Sequence, residues 1–179
     1  MHISLDSALG RQRRLNSVGE TISSIAPLAA AYSLRSLTGG DPRAVRVRRS
    51  SDDAEQDFTV SEIDSGVLVA FVGSGNDGFV DTWYDQSGND NHAINDTDAE
   101  QPKIVSSGSL IADGIDFDGS DDTLTAASVS GFGATISMFE ASVRDSGGAA
   151  ALSMGSSAST ANTNFGIIEG GTVSNVNAR

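Results

Sequence analysis

The chain has 179 residues, a net charge of −13 and 20 glycines against 3 prolines, with 38% hydrophobic and 6% aromatic residues, a turn-rich make-up that still carries enough Val, Ile, Leu and Phe for one packed domain. The absence of cysteine excludes disulfide scaffolds, thiol nucleophiles and Cys-ligated metals, and His2 and His92 alone are too few for a histidine zinc site. No apolar run approaches the ~18 residues of a membrane span, and Met1–Asp6 lacks the basic start and apolar core of a signal peptide.

Charge is unevenly spread. Residues 1–50 hold eight arginines (11, 13, 14, 35, 43, 46, 48 and 49) against Asp6, Glu20 and Asp41, whereas residues 51–179 hold 3 basic against 21 acidic residues. An acidic body repels nucleic acid and anionic membrane, so neither is an expected partner. The basic third has two readings: a surface for an acidic protein partner, or arginines paired with the chain's own carboxylates.

In chain order, residues 1–24 lack a core-facing period and read as an arm ordered by a partner. Pro27 followed by Leu28-Ala29-Ala30-Ala31-Tyr32-Ser33-Leu34-Arg35-Ser36-Leu37 predicts a helix, with Ala30, Leu34 and Leu37 on one stripe and Thr38-Gly39-Gly40-Asp41-Pro42 as its stop. Ala44–Arg49 alternates apolar and basic residues and predicts a strand. Residues 50–53 predict a turn and residues 54–60 a second extended segment. Residues 61–73 predict one short helix capped around Ser61 and Asp64, Gly78–Tyr84 a strand, and residues 85–100 a polar loop.

From Gln101 onward short strands are expected at 103–105, 109–111, 114–118, 122–126, 135–143, 149–154 and 164–168, separated by turn residues as in a β-sandwich or jelly roll. No terminal strand closes residues 170–179, so the sandwich is expected to be incomplete or completed by a partner. The domain division that follows is an anchoring arm and helix at 1–40 and a jelly-roll body at 41–179.

Three stretches in this order carry a resemblance. They are Ala31-Tyr32-Ser33-Leu34-Arg35 with Val45-Arg46-Val47-Arg48-Arg49-Ser50-Ser51-Asp52, then Trp83-Tyr84-Asp85-Gln86-Ser87-Gly88-Asn89-Asp90-Asn91-His92-Ala93, then Ile115-Asp116-Phe117-Asp118-Gly119-Ser120-Asp121-Asp122. Together they resemble the front half of the fungal-type α-L-arabinofuranosidase B catalytic domain and, more closely, the concanavalin A-like (LamG-type) modules of bacteriophage structural proteins. The resemblance spans roughly residues 28–125 and is most specific at Tyr84–Asn89. It implies an all-β concanavalin A-like jelly roll and a relation to glycans. It transmits no active site, because the hydrolase carboxylates lie downstream, where residues 126–179 offer only Glu140, Asp145 and Glu169.

Several side chains are candidates for chemistry. Asp116 and Asp118, two apart on an expected strand, face one side ~7 Å from each other, a separation compatible with glycosidic cleavage or with a solvated acidic edge. Asp116, Asp118, Asp121 and Asp122 put four carboxylates within seven residues and suit either Ca²⁺ or turn chemistry. Tyr84, Asp85, Gln86 and Asn89 are the candidate carbohydrate contacts, with an internal structural turn as the competing reading; Trp83 is expected in the core and His92 exposed. The expected function is a virion structural protein of a tailed phage or phage-like particle: part of a fibre, spike or tail appendage, anchored through residues 1–40 to other virion proteins. It would be homo-oligomeric, with a trimer favoured, and lectin-like toward host glycans. The alternatives are a glycoside hydrolase with Asp116 and Asp118 as first suspects, and a structural adaptor without ligand.

Overall fold

The computed structural model describes residues 28–112, 114–127 and 129, and the backbone of 152–154 and 165–167. In chain order it contains β1 (Arg43–Arg49), β2 (Glu55–Thr59), α1 (Val60–Asp64), α2 (Val67–Val72), β3 (Gly78–Trp83), β4 (Ala93–Ile94), a 3-10 turn at Asp98–Glu100, β5 (Lys103–Ser106), β6 (Ser109–Leu110), β7 (Leu152–Met154) and β8 (Phe165–Ile167). The main sheet is antiparallel in the order β2-β1-β3-β5-β6, with β4 paired to β3. Among the described residues the class is therefore all-β, with two short helices.

The strand at 43–49 forms because alternation gives its two faces different work. Val45 and Val47 are fully buried with Phe58, Val80 and Val105, and α1 and α2 cover them with Ile63, Leu68 and Val72. The other face carries Arg46 and Arg48. Three bulges interrupt the ladders: at Ala44 between β1 and β2, at Asp81 between β1 and β3, and at Ile104 between β3 and β5. All three extra residues are buried. A bulge bends and twists its strand, and three in succession curl the sheet into an antiparallel half-barrel.

The helix expected at 61–73 is two helices. Thr59, two residues ahead of the expected cap, closes a capping box with Glu62, and Gly66 at φ 83 breaks the run before α2. Ser61 instead gives its N–H and its hydroxyl to the Asp41 carboxylate at 2.8 and 2.6 Å, which holds Asp41 below its usual pKa.

The expected helix at 28–37 does not form. The segment is extended and irregular, and its backbone groups bond to the loop after β3 rather than to each other. Alanine helix propensity amounts to a few tenths of a kcal/mol per residue, so bonds to a fixed loop override it. Residues 28–37, grouped with the arm in the expected division at residue 40, are bonded to the loop that follows β3, and the arm expected at 1–24 lies outside the described residues.

The expected strands at 114–118 and 122–126 reduce to single bridges, Lys103↔Asp116 and Ile94↔Thr125. Between them the Asp118 carboxylate accepts from Ser120 N–H, and Asp122 accepts from Asp118 N–H, bonds that compete with a ladder. The strand expected at 135–143 lies outside the described residues. β7 and β8 fall within the expected 149–154 and 164–168 and pair antiparallel with each other.

Candidate functional site

The strongest constellation is the loop Asp85–Asn91 and the strap it holds, residues 28–37. Asp85 is 8% exposed. Its Oδ1 accepts from Ala31 N–H at 2.7 Å and Ser87 N–H at 2.8 Å, and its Oδ2 from the Ser87 hydroxyl at 2.7 Å and Asn91 N–H at 3.1 Å. Burial pushes the Asp85 carboxyl up, but these donors outweigh it and the net shift is down.

Gln86, 7% exposed, continues the clamp. Its N–H donates to Ala31 O at 2.7 Å, its amide nitrogen to Ser33 O at 2.8 Å and Arg35 O at 3.0 Å, and its Oε1 accepts from Leu37 N–H at 2.9 Å. The amides of Asn89 and Asn91 donate to Leu28 O and Ala29 O at 2.7 and 2.8 Å. Tyr32 closes the strap from its own side. Its hydroxyl donates to Asn91 O and its ring lies 5.7 Å from that of Trp83. Burial, reinforced by the nearby Asp85 charge, raises the Tyr32 phenol to about 12, so it stays a donor at neutral pH.

The four expected carbohydrate contacts are thus placed together, with Tyr84, Asp85 and Gln86 turned inward and Asn89 left on the exposed side of the loop. Asp85 and Gln86 are buried in the clamp, Asn89 is spent on strap carbonyls, and Tyr84 is 6% exposed with its hydroxyl 2.7 Å from Asp57 Oδ1. The competing reading of Tyr84–Gly88 as a structural turn describes this geometry. Trp83 packs partly buried against the core, as expected, although its indole N–H is buried without a hydrogen-bond partner. His92 is less exposed than expected, receiving Asp85 N–H on Nδ1 at 3.2 Å and meeting the Tyr84 ring edge-on at 4.9 Å.

The arginine-rich strand is likewise committed internally. Arg43 and Arg46 reach Asp57 at 3.1 and 2.8 Å, and Arg49 reaches Asp52 at 2.6 Å. Arg48, 7% exposed, spans Gln101, Asp53 and the Asp98 carbonyl at 2.9, 2.7 and 3.0 Å. Burial raises Asp57, yet bonds from Arg46, Tyr84 and Arg43 bring its net pKa below the ordinary value. Of the two readings of the basic third, self-pairing holds for these four arginines.

The acidic segment divides. Side-chain oxygens of Asp118, Asp121 and Asp122 lie within 4.8 Å of one another and could hold a divalent cation. Asp116 stands outside that group, its backbone bonded to Lys103. Three carboxylates fall short of the six to eight oxygens Ca²⁺ takes, so water or further groups would complete the shell. Asp118 is exposed and bonds from Ser120, Asp121 and Asp122 keep its pKa below the usual value, whereas burial first and the neighbouring carboxylates next push Asp122 up. An exposed carboxyl that ionises easily is poorly suited to donate a proton to a glycosidic oxygen.

A feature unmarked in the sequence is an open cleft of about 490 Å³ lined by Asp90, Asn91, His92, Ile94, Asp96, Thr125 and Ala127. His92, Ile94 and Asp96 share one face of an extended segment, and the Ile94↔Thr125 bridge sets Thr125 and Ala127 beside them. The cleft depends on a pairing between residues 31 apart, which no local pattern announces. No family model, curated protein or solved structure matches the chain.

Proposed function

We propose that the chain is a non-catalytic structural component of a fibre, spike or tail appendage in a tailed phage or phage-like particle. Its half-barrel would be part of a concanavalin A-like jelly roll, carried in a homo-oligomer, with a trimer favoured, that meets host glycans. The supporting observation is the clamp. Within the segment most specific to the resemblance, Tyr84–Asn89, the side chains of Asp85, Gln86 and Asn89 fasten an N-terminal strap to the sheet, as suits a module built to bear load.

The sugar-facing surface belongs at the cleft beside that loop. Ile94 is 42% exposed and offers an apolar patch, flanked by Asp90, Asp96 and Thr125 as partners for hydroxyls. One such site binds a single sugar weakly, and display on an oligomer supplies avidity.

Mass spectrometry of purified particles, paired with a glycan array of the full chain, tests this reading. Recovery in the appendage fraction, and an array signal lost in an Asp90→Ala/Asp96→Ala variant, are expected. Reducing-sugar release from host polysaccharide that disappears in Asp116→Asn/Asp118→Asn would replace the proposal with a hydrolase.

A further inference from the structure

The cradle of Asp85, Gln86, Asn89 and Asn91 holds the strap through its main chain. It binds the carbonyls of Leu28, Ala29, Ala31, Ser33 and Arg35 and the N–H groups of Ala31 and Leu37. Recognition of backbone groups is blind to which copy supplies them. The strap's side chains add apolar burial through Ala31 at 8% exposure, the partly buried Leu34 and the Tyr32 ring against Trp83, and the Tyr32 hydroxyl adds one bond to Asn91 O. Release of the strap therefore exposes hydrogen-bonding groups and the Trp83 face, both of which a second strap, with its own Tyr32, satisfies equally.

The connection to the sheet has the form of a hinge. Leu37 N–H is fixed by Gln86, and Asp41 is fixed by Ser61. Between these anchors lie Thr38, Gly39 and Gly40, and both glycines are left-handed, at φ 84 and 71. Without a Cβ they adopt that conformation, or leave it, at no steric cost.

We infer that the strap is an exchangeable arm: residues 28–37 of one copy seat in the cradle of a second copy of this chain, turning about Thr38–Gly40. The inference rests on the oligomeric appendage proposed above and names the element that links its subunits. Contacts are the same within and between copies, so effective concentration decides the outcome. A short tether gives its own strap an effective concentration on the order of millimolar, and copies held side by side in an assembly reach the same range. Reciprocal exchange closes a dimer, and exchange passed around a ring closes a trimer.

The chain has no cysteine, so introduced thiols report the contact cleanly. Ser87 Oγ lies 3.5 Å from Ala29 O. Full-length Ala29→Cys and Ser87→Cys chains, unfolded together, refolded at about millimolar concentration and oxidised, should give a disulfide dimer with one chain of each kind. Gln86→Ala in the Ser87→Cys chain should reduce its yield several-fold. Absence of the mixed dimer, or a yield indifferent to Gln86→Ala, overturns the exchange.

A chain lacking Gly39 and Gly40, the left-handed pair between strap and sheet, gives a second measurement. Its mass by light scattering should rise to a dimer or higher closed oligomer, and a monomer overturns the exchange. Oligomers without the mixed disulfide overturn only the exchange. Absence of the chain from particles overturns only the appendage reading.

Discussion

Asp85 accepts four hydrogen bonds that tie its own loop to the strap. Its carboxylate collects donors from the strap, from Ser87 and from Asn91, so removing it leaves the buried Ala31 N–H and the half-buried Ser87 and Asn91 N–H groups without this partner. Asp85→Ala should cost about 3 kcal/mol of unfolding free energy, read as a lower midpoint in urea. The pH dependence follows from the downward shift of its pKa. A carboxyl with a lower pKa folded than unfolded stabilises above the unfolded value, near 3.9 for Asp, and that stability is lost as pH falls through the folded value. Asp122, shifted upward, has the opposite sign and favours the folded state as it takes up its proton. An acid titration followed by NMR should show the Ala31 and Ser87 amide signals moving together below about pH 4, and Asp85→Asn should abolish that joint step.

Among the elements, the half-barrel depends on close approach at one glycine. A Cβ on Gly78 would stand 2.8 Å from Val72 Cγ2, 3.1 Å from Val47 Cγ1 and 3.2 Å from Val105 Cβ, where α2 packs on β1 and β5. Gly78→Ala should therefore destabilise by about 1–3 kcal/mol through overpacking. Thermal unfolding checks this, and an unchanged Tm would show that α2 yields. Arg48 is the buried counterpart on the opposite face. Lysine cannot reproduce its fork to Gln101, Asp53 and Asp98, so Arg48→Lys should cost about 2 kcal/mol in a urea titration.

What the sequence revealed about these elements follows from range. β1 and β3 announce themselves by alternation within the strand, and the turn at 50–53 by its own residues. The strap reads as a helix because its alanines signal local preference, while the bonds that override it come from residues about fifty positions away. The motif at 85–89 was legible as a constellation, but its direction was not. Whether Asp85 and Gln86 face solvent or the chain itself depends on where residues 28–37 run. The cleft at Ile94 and Thr125 depends on an equally remote pairing.

For the whole molecule, the charge asymmetry changes meaning. Arg43, Arg46, Arg48 and Arg49 stitch β1 to its neighbouring strand and turns, so the sheet region is closer to neutral than the division at residue 50 implied. Arg11, Arg13 and Arg14 precede the strap and remain the cationic segment of the proposed anchor. If the chain is anchored to a particle as proposed, that attachment should weaken with salt, because screening limits charge–charge interactions to about 8–10 Å at 0.1–0.15 M. Sedimentation of chain with particles across a salt series checks this, and retention independent of salt would remove the electrostatic anchor.

The central claim is that Asp85–Asn91 is a clamp binding residues 28–37 to the sheet. Native-state hydrogen exchange of the full chain at Ala31 and Leu37 tests it most directly. Both amides should be protected well above unfolded-chain rates, and Gln86→Ala should release Leu37 while β1 and β3 stay protected. Exchange of both amides at unfolded rates in the unmodified chain would contradict the account.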